Sequence, residues 1–237
     1  RLYIHEVGDD DYAHSPGELL STYERLFDAD PGMRATPPLV QEVIDGETAT
    51  TVGVADDGEL LATFQELRIR TTPHSGGSST LLRGIHDERM LDYARELVAE
   101  LGWTGPLQVE FMRTPEDCYL IEINGRYWGS LPLATAAGVD LPWLHLGVLA
   151  GEHPTVDDGV REGVVQQRLL YGDLKWLSER LADGHPEALA EFVASLLTTD
   201  KPFVRTDDPA TTVAALREVA GVGGDALGET VRDRLDR

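Results

Sequence analysis

The sequence predicts an α+β fold: an antiparallel sheet with flanking helices, followed by a mainly helical C-terminal region. Three observations carry this prediction. Residues 37–70 alternate apolar and polar positions around Asp–Gly pairs, the pattern of strands joined by tight turns. Residues 87–101, DERMLDYARELVAEL, place Met90, Leu91, Ala94, Leu97, Val98 and Leu101 at helical spacing. From about residue 152 the chain reads as one helix after another. With 237 residues, 41% of them hydrophobic, the chain can bury a sizeable core.

Taken in order, residues 2–7 read as a strand. SPGELLSTYERLF then reads as a helix, with Ser15 as N-cap, Pro16 at the first position and Glu18 completing a capping box. Strands follow, turning at Asp45–Gly46 and at Asp57–Gly58. TTPHSGGSST, residues 71–80, is a Gly- and Ser-rich loop. After the helix at 87–101 comes a hairpin over 106–124. Residues 130–151 are apolar enough to raise a membrane span, but Asp140, Pro132 and Pro142 favour two buried helices broken near Gly138. In the tail, VVQQRLLY reads as a strand, and helices are expected over 172–182, 186–197, 209–220 and 225–236. The expected division is 1–151 and 152–237.

Acids number 42 against 20 Lys plus Arg, a net charge of −22, and only Lys175 and Lys201 are lysines. Acids spread along the whole chain suit a salt-rich interior, where the Debye length falls to ~3 Å at 1 M. At low salt the same charge strains the fold by self-repulsion. Nucleic acid is excluded as a partner, because phosphate binding needs clustered Lys and Arg. One cysteine, Cys118, precludes an internal disulfide; a cytoplasmic location is expected, without a membrane partner. A homodimer is left open.

The hairpin VEFMRTPEDCYLIEINGR, residues 109–126, carries the chemistry. Strands are poor in Glu and Asn, yet Glu110, Glu122 and Asn124 stand inside these two. Residues two apart share a face. Val109, Phe111, Ile121 and Ile123 then form an apolar face, and Gln108, Glu110, Met112, Glu122 and Asn124 the other. An odd loop, such as 115–117, sets Glu110 directly opposite Glu122. Two carboxylates at that spacing repel unless a proton or a cation joins them. Oxygen ligands suit a hard cation such as Mg²⁺. An exposed acidic strand face without function is the other reading of the same pattern.

The Glu in one strand, and twelve residues on a Glu-x-Asn-x-Arg, resembles the C-terminal part of the ATP-grasp superfamily. RYWGSLPLATAAGVDLP resembles its carboxylate–amine ligase branch. The resemblance covers about residues 1–150, making 1–151 a partial ATP-grasp domain and 152–237 a helical extension. It implies ATP and Mg²⁺ (or Mn²⁺) as cofactors, with small carboxylate and amine substrates. Glu110, Glu122 and Asn124 are implied as metal ligands, with Arg126 on the transferring phosphoryl group. LVQEVIDGE resembles the adenine hinge: Gln41 near the adenine amino group, the backbone of Glu42, Val43 and Ile44 along the ring edge, and Glu47 near the ribose. LRIRTTPHSGGSST resembles the strand and loop laid over the phosphates. This places Arg70 among the catalytic candidates, and Arg68, two residues before it on the same face, reaches the site if Arg70 does.

Two departures stand out. Gly125 replaces the proline usual between Asn and Arg, which is expected to loosen that turn. The family's first ATP-binding strand, with its phosphate-binding lysine, has no counterpart after Arg1, so a longer enzyme or a truncated product is expected. The implied activity is ATP-dependent ligation, in which a carboxylate becomes an acyl phosphate and an amine displaces the phosphate. The alternative is a non-catalytic binding or scaffold module that keeps the core. Cys118, placed in the hairpin turn, is expected to be inert.

Overall fold

A computed structural model describes residues 13–29, 32, 40–73, 77–152, 160–199, 201, 208–210, 212–214 and 217. Two compact units are resolved, Arg1–Ile44 and Asp45–Arg237. The strand expected over 2–7 and the helix expected over 225–236 lie outside the described residues. In the tail, 209–210 and 212–214 are helical.

In the first unit, helix α1 (Pro16–Ala29) starts much as its sequence predicts. Glu18 N–H donates to Ser15 Oγ at 3.2 Å, and the Glu18 carboxylate accepts from His14 N–H at 2.7 Å. The carboxylate thus reaches one residue beyond the N-cap while still satisfying a free amide at the helix start. Residues 40–45 are irregular.

The second unit is built on six antiparallel strands: β1 (Glu47–Asp56), β2 (Glu59–Thr72), β3 (Ser78–Ile85), β4 (Gly105–Arg113), β5 (Cys118–Asn124) and β6 (Val165–Gln167). Their order across the sheet is β5-β4-β1-β2-β3-β6. Asp57 and Gly58, at φ 46° and 81°, make the two-residue turn between β1 and β2. The turn expected at Asp45–Gly46 does not join two strands, because β1 only begins at Glu47. Gly46 answers a different need: a Cβ there would meet the Arg113 carbonyl oxygen at 2.6 Å.

One sheet face packs on α2 (Glu88–Leu101). Met90, Ala94 and Val98 meet Ala49, Leu67, Val109 and Phe111. Asp87 caps this helix through its side chain, and Gly102 ends it at φ 56°. The other face carries Val52, Val54, Phe64 and Leu82 against α3 (Leu131–Ala136) and α4 (Leu141–Leu149). These are the two helices expected around Gly138, which sits at φ 101°. Among the described residues, no helix is long and apolar enough to cross a membrane. A π-helical turn (Leu169–Asp173), α5 (Leu174–Ala182) and α6 (Glu187–Thr198) follow β6. The sheet extends past residue 151, since β6 pairs with β3.

Candidate functional site

The β4–β5 hairpin places Glu110 directly opposite Glu122. The route differs from the expected odd loop. Arg113 pairs with Cys118, so residues 114–117 make an even loop of four. Thr114 fixes it, with Oγ1 accepting from the N–H groups of Glu116 and Asp117 at 3.2 and 3.0 Å. Phe111 pairs with Leu120, and the next pair is Glu110–Glu122. Ile121 is therefore the extra residue of a β-bulge, and it alone brings the two carboxylates face to face. The bulge also takes Ile121 off the expected apolar face, leaving it 40% exposed. Cys118 corrects a second expectation: it opens β5 rather than sitting in the turn, and burial pushes its thiol pKa up.

Glu110 is buried while Glu122 is exposed. Burial raises the Glu110 pKa, Arg68 opposes that rise, and Glu122 adds to it. Arg68 Nη2 donates to Glu110 Oε2 in a short contact. Asn124 donates its amide to Glu122 Oε1 at 2.6 Å and to Gln108 Oε1 at 3.3 Å. Two facing carboxylates beside an amide make an all-oxygen donor set, and one of the carboxylates already holds a cationic group. These donors fit a hard divalent cation. Among the described residues, no group of three or more His, Cys, Asp or Glu gathers to hold a metal, so the set is two carboxylates plus the amide.

The same sheet face holds a residue the sequence reading missed. Thr50 pairs with Glu110 on one side and with Glu66 on the other. Glu122, Glu110, Thr50 and Glu66 therefore form one cross-strand row projecting to one face. Strand spacing puts Glu66 roughly 10 Å from Glu110, too far to share a metal. Glu66 is 2% exposed. Its Oε1 accepts a short hydrogen bond from Ser130 Oγ, and its Oε2 has no partner. Burial raises its pKa to about 7, against the lowering effects of Ser130 and Arg68. The signal was a Glu within the strand FQELR, the same anomaly that drew attention to Glu110.

Arg68 and Arg70 do not share a destination. The pairing of β2 with β3 shifts between them. Arg70 is buried and donates to Asp173 Oδ2 at 3.1 Å, with its guanidinium 4.1 Å from the Trp176 ring centroid. Arg126 is exposed and donates to the Tyr127 carbonyl at 3.1 Å. Gly125, just before it, is exposed, and the Trp103 ring lies against it: a Cβ there would meet the indole at 2.7 Å. Gln41, Glu42 and Val43 are exposed and Ile44 is half-buried, all in the first unit. Glu47, at the start of β1, lies 3.6 Å from Arg113 Nη1.

A family model described as "ATP-grasp in the biosynthetic pathway with Ter operon" matches residues 34–168. The carbamoyl phosphate synthase large chain of Thermus thermophilus is 30% identical over 132 residues, 52% of this chain and 13% of that protein. The Pyrobaculum aerophilum large chain is 34% identical over 119 residues, 48% of this chain and 12% of that protein. The chain thus spans about an eighth of the length of these curated relatives. Among solved structures, the biotin carboxylase domain of a thermophilic 2-oxoglutarate carboxylase bound to bicarbonate aligns with a TM-score of 0.48 at 17% identity. That alignment covers 64% of this chain and 36% of the other. A biotin carboxylase ATP-analogue complex from Campylobacter jejuni aligns with a TM-score of 0.49 at 15% identity, covering the same shares. With the family model matching more than half of its residues and the Glu110–Glu122–Asn124 hairpin inside that match, the chain belongs to the ATP-grasp family.

Proposed function

We propose that the face bearing Glu110, Glu122 and Asn124 is the metal and phosphate side of an ATP- and Mg²⁺-dependent ligase. The reaction activates a carboxylate as an acyl phosphate and joins it to an amine. The observation that carries this reading is the register that sets Glu110 opposite Glu122, with Asn124 two residues on. A Mg²⁺ or Mn²⁺ ion held by Glu110 and Glu122 would supply neutralisation of phosphate charge. Glu110 and Glu122 hold that charge in place, and Asn124 orients Glu122 through its amide. Arg126, exposed and permanently charged, is assigned to the transferring phosphoryl group. Gln41, the backbone of Glu42, Val43 and Ile44, and Glu47 are assigned to adenine and ribose. Arg70, expected among the catalytic residues, is assigned instead to the buried network with Asp173 and Trp176. Residues 152–237 are assigned as a mainly helical extension that also lends β6 to the sheet.

The test is calorimetric titration of the full-length protein with ATP, with and without Mg²⁺, alongside ADP release over a panel of amino acids. ATP binding should require the divalent ion. Glu122→Gln removes one charge from the donor set while keeping its shape, and turnover should fall about 10²–10³-fold, as when one preorganised electrostatic group is lost. ATP binding without ADP release under any carboxylate–amine pair would favour the scaffold reading. No binding at all would remove the nucleotide site.

We also infer a protein adapted to high salt, on the strength of its −22 net charge and two lysines. Its melting temperature, followed by circular dichroism, should rise from low to molar KCl through screening of self-repulsion. A flat profile would end that inference.

A further inference from the structure

We propose that Arg68 is an exchangeable counter-ion: it occupies Glu110 when the cation site is empty and moves to Glu66 when a divalent cation binds. This rests on the metal reading of Glu110 and Glu122 above. Three observations lead to it. Arg68 is bonded to Glu110 Oε2, an oxygen a cation would need. Its side chain is 24% exposed, which leaves it room to turn. Glu66 lies two residues earlier on the same strand and face, buried, with Oε2 unpartnered.

A buried carboxylate oxygen without a donor is costly and calls for an explanation. Glu66 Oε1 is committed to Ser130, while Glu66 already feels the charge of Arg68. A divalent ion on Glu110 would repel the guanidinium beside it. The adjacent acceptor lacking a donor is Glu66, so one displacement opens the metal site and satisfies the orphaned oxygen. Arg70 cannot substitute, because Asp173 holds it in a buried network, and Arg168, the other cation whose charge Glu66 feels, is engaged with Ser78 Oγ and the Ser79 carbonyl. Arg68 thereby acts as a positioning residue that lowers apparent metal affinity by the fraction of molecules in which it covers Glu110.

The test is Mn²⁺ titration of the chain, reading free Mn²⁺ by electron paramagnetic resonance. It is run at about pH 8, where Glu66 is ionised, and in about 1 M KCl to screen surface acids. Only the site abolished by Glu122→Gln is counted. Arg68→Gln should bind Mn²⁺ about three- to tenfold more tightly, the scale of one partly exposed ion pair. Glu66→Gln should bind about threefold more weakly. The decisive result is the double variant: exchange requires the Glu66→Gln effect to vanish in the Arg68→Gln background. An equal Glu66→Gln effect in both backgrounds would mean plain electrostatics and overturn the proposal, as would Arg68→Gln leaving affinity unchanged or lower. Absence of the site from every variant would overturn both the exchange and the metal reading. A measurement without variants guards against misfolding: the Arg68 Nε resonance of the unaltered chain should shift on adding Mg²⁺, and a static resonance would count against exchange.

Discussion

Arg68 and Arg70 stand two residues apart on β2 and answer two different carboxylates. Arg70 faces Asp173, which is fully buried and also accepts from Thr80 Oγ1 at 2.9 Å and Gln167 Nε2 at 2.6 Å. Trp176 covers the guanidinium. Arg68 faces Glu110 at a half-open position, next to a second carboxylate with an orphaned oxygen. The first pair is closed on every side and ties the segment after β6 to the sheet. The second is open on one side. A saturated buried pair is a structural clamp, because removing either partner strands a charge. An unsaturated one at a sheet face can change partners.

The contrast is broken most directly by stability measurements. Asp173→Ala leaves the buried Arg70 with only the exposed Glu191 carboxylate, 3.9 Å away, as counter-charge, and chemical denaturation should register a loss approaching that of a broken buried pair, about 3–5 kcal/mol. Arg68→Gln, measured in the same way, should lose clearly less, because this pair has an open side and Glu110, its pKa already raised by burial, can take up a proton. Comparable losses for the two variants would erase the distinction between clamp and exchangeable pair.

Glu66 gives a second effect, on the order of 3 kcal/mol, through pH. Its pKa rises from 4.5 unfolded to about 7 folded. The folded state therefore holds the proton more tightly, and stability is lost as pH climbs through that window. Other carboxylates titrate in the same range, so the informative quantity is a difference. The stability of Glu66→Gln minus that of the unaltered chain should increase by on the order of 3 kcal/mol between about pH 4.5 and 7, then level off. A difference curve flat with pH would place Glu66 in water.

Local signals were legible in the sequence wherever one segment decides the outcome. The Asp57–Gly58 turn, the Ser15 start of α1 and the break at Gly138 all depend on a few neighbouring residues, and each is found. The carboxylate pairing was reached from strand alternation, although alternation cannot reveal the bulge at Ile121 that produces it. The Asp45–Gly46 turn failed because Gly46 serves a close approach to Arg113 rather than a hairpin. The partners of Glu66 and Arg70 were not legible. Ser130 is 64 residues from Glu66 and Asp173 is 103 from Arg70, and only the assembled sheet brings them together. Gly125 marks the same limit: its reason is the Trp103 ring, delivered from the end of another helix.

The bulge at Ile121 also has a consequence for inheritance. An even loop alone would set Glu110 against Ile121; an even loop plus one bulge restores the carboxylate pair. Loop length and bulge thus behave as a parity code, in which two odd events cancel. The code holds at a fixed separation of the two carboxylates: with Glu110 and Glu122 twelve residues apart, an even loop needs one bulge and an odd loop needs none. Among relatives that keep this separation, those without the bulge should carry a turn of odd length, a correlation written into the chain by the geometry of the pleat.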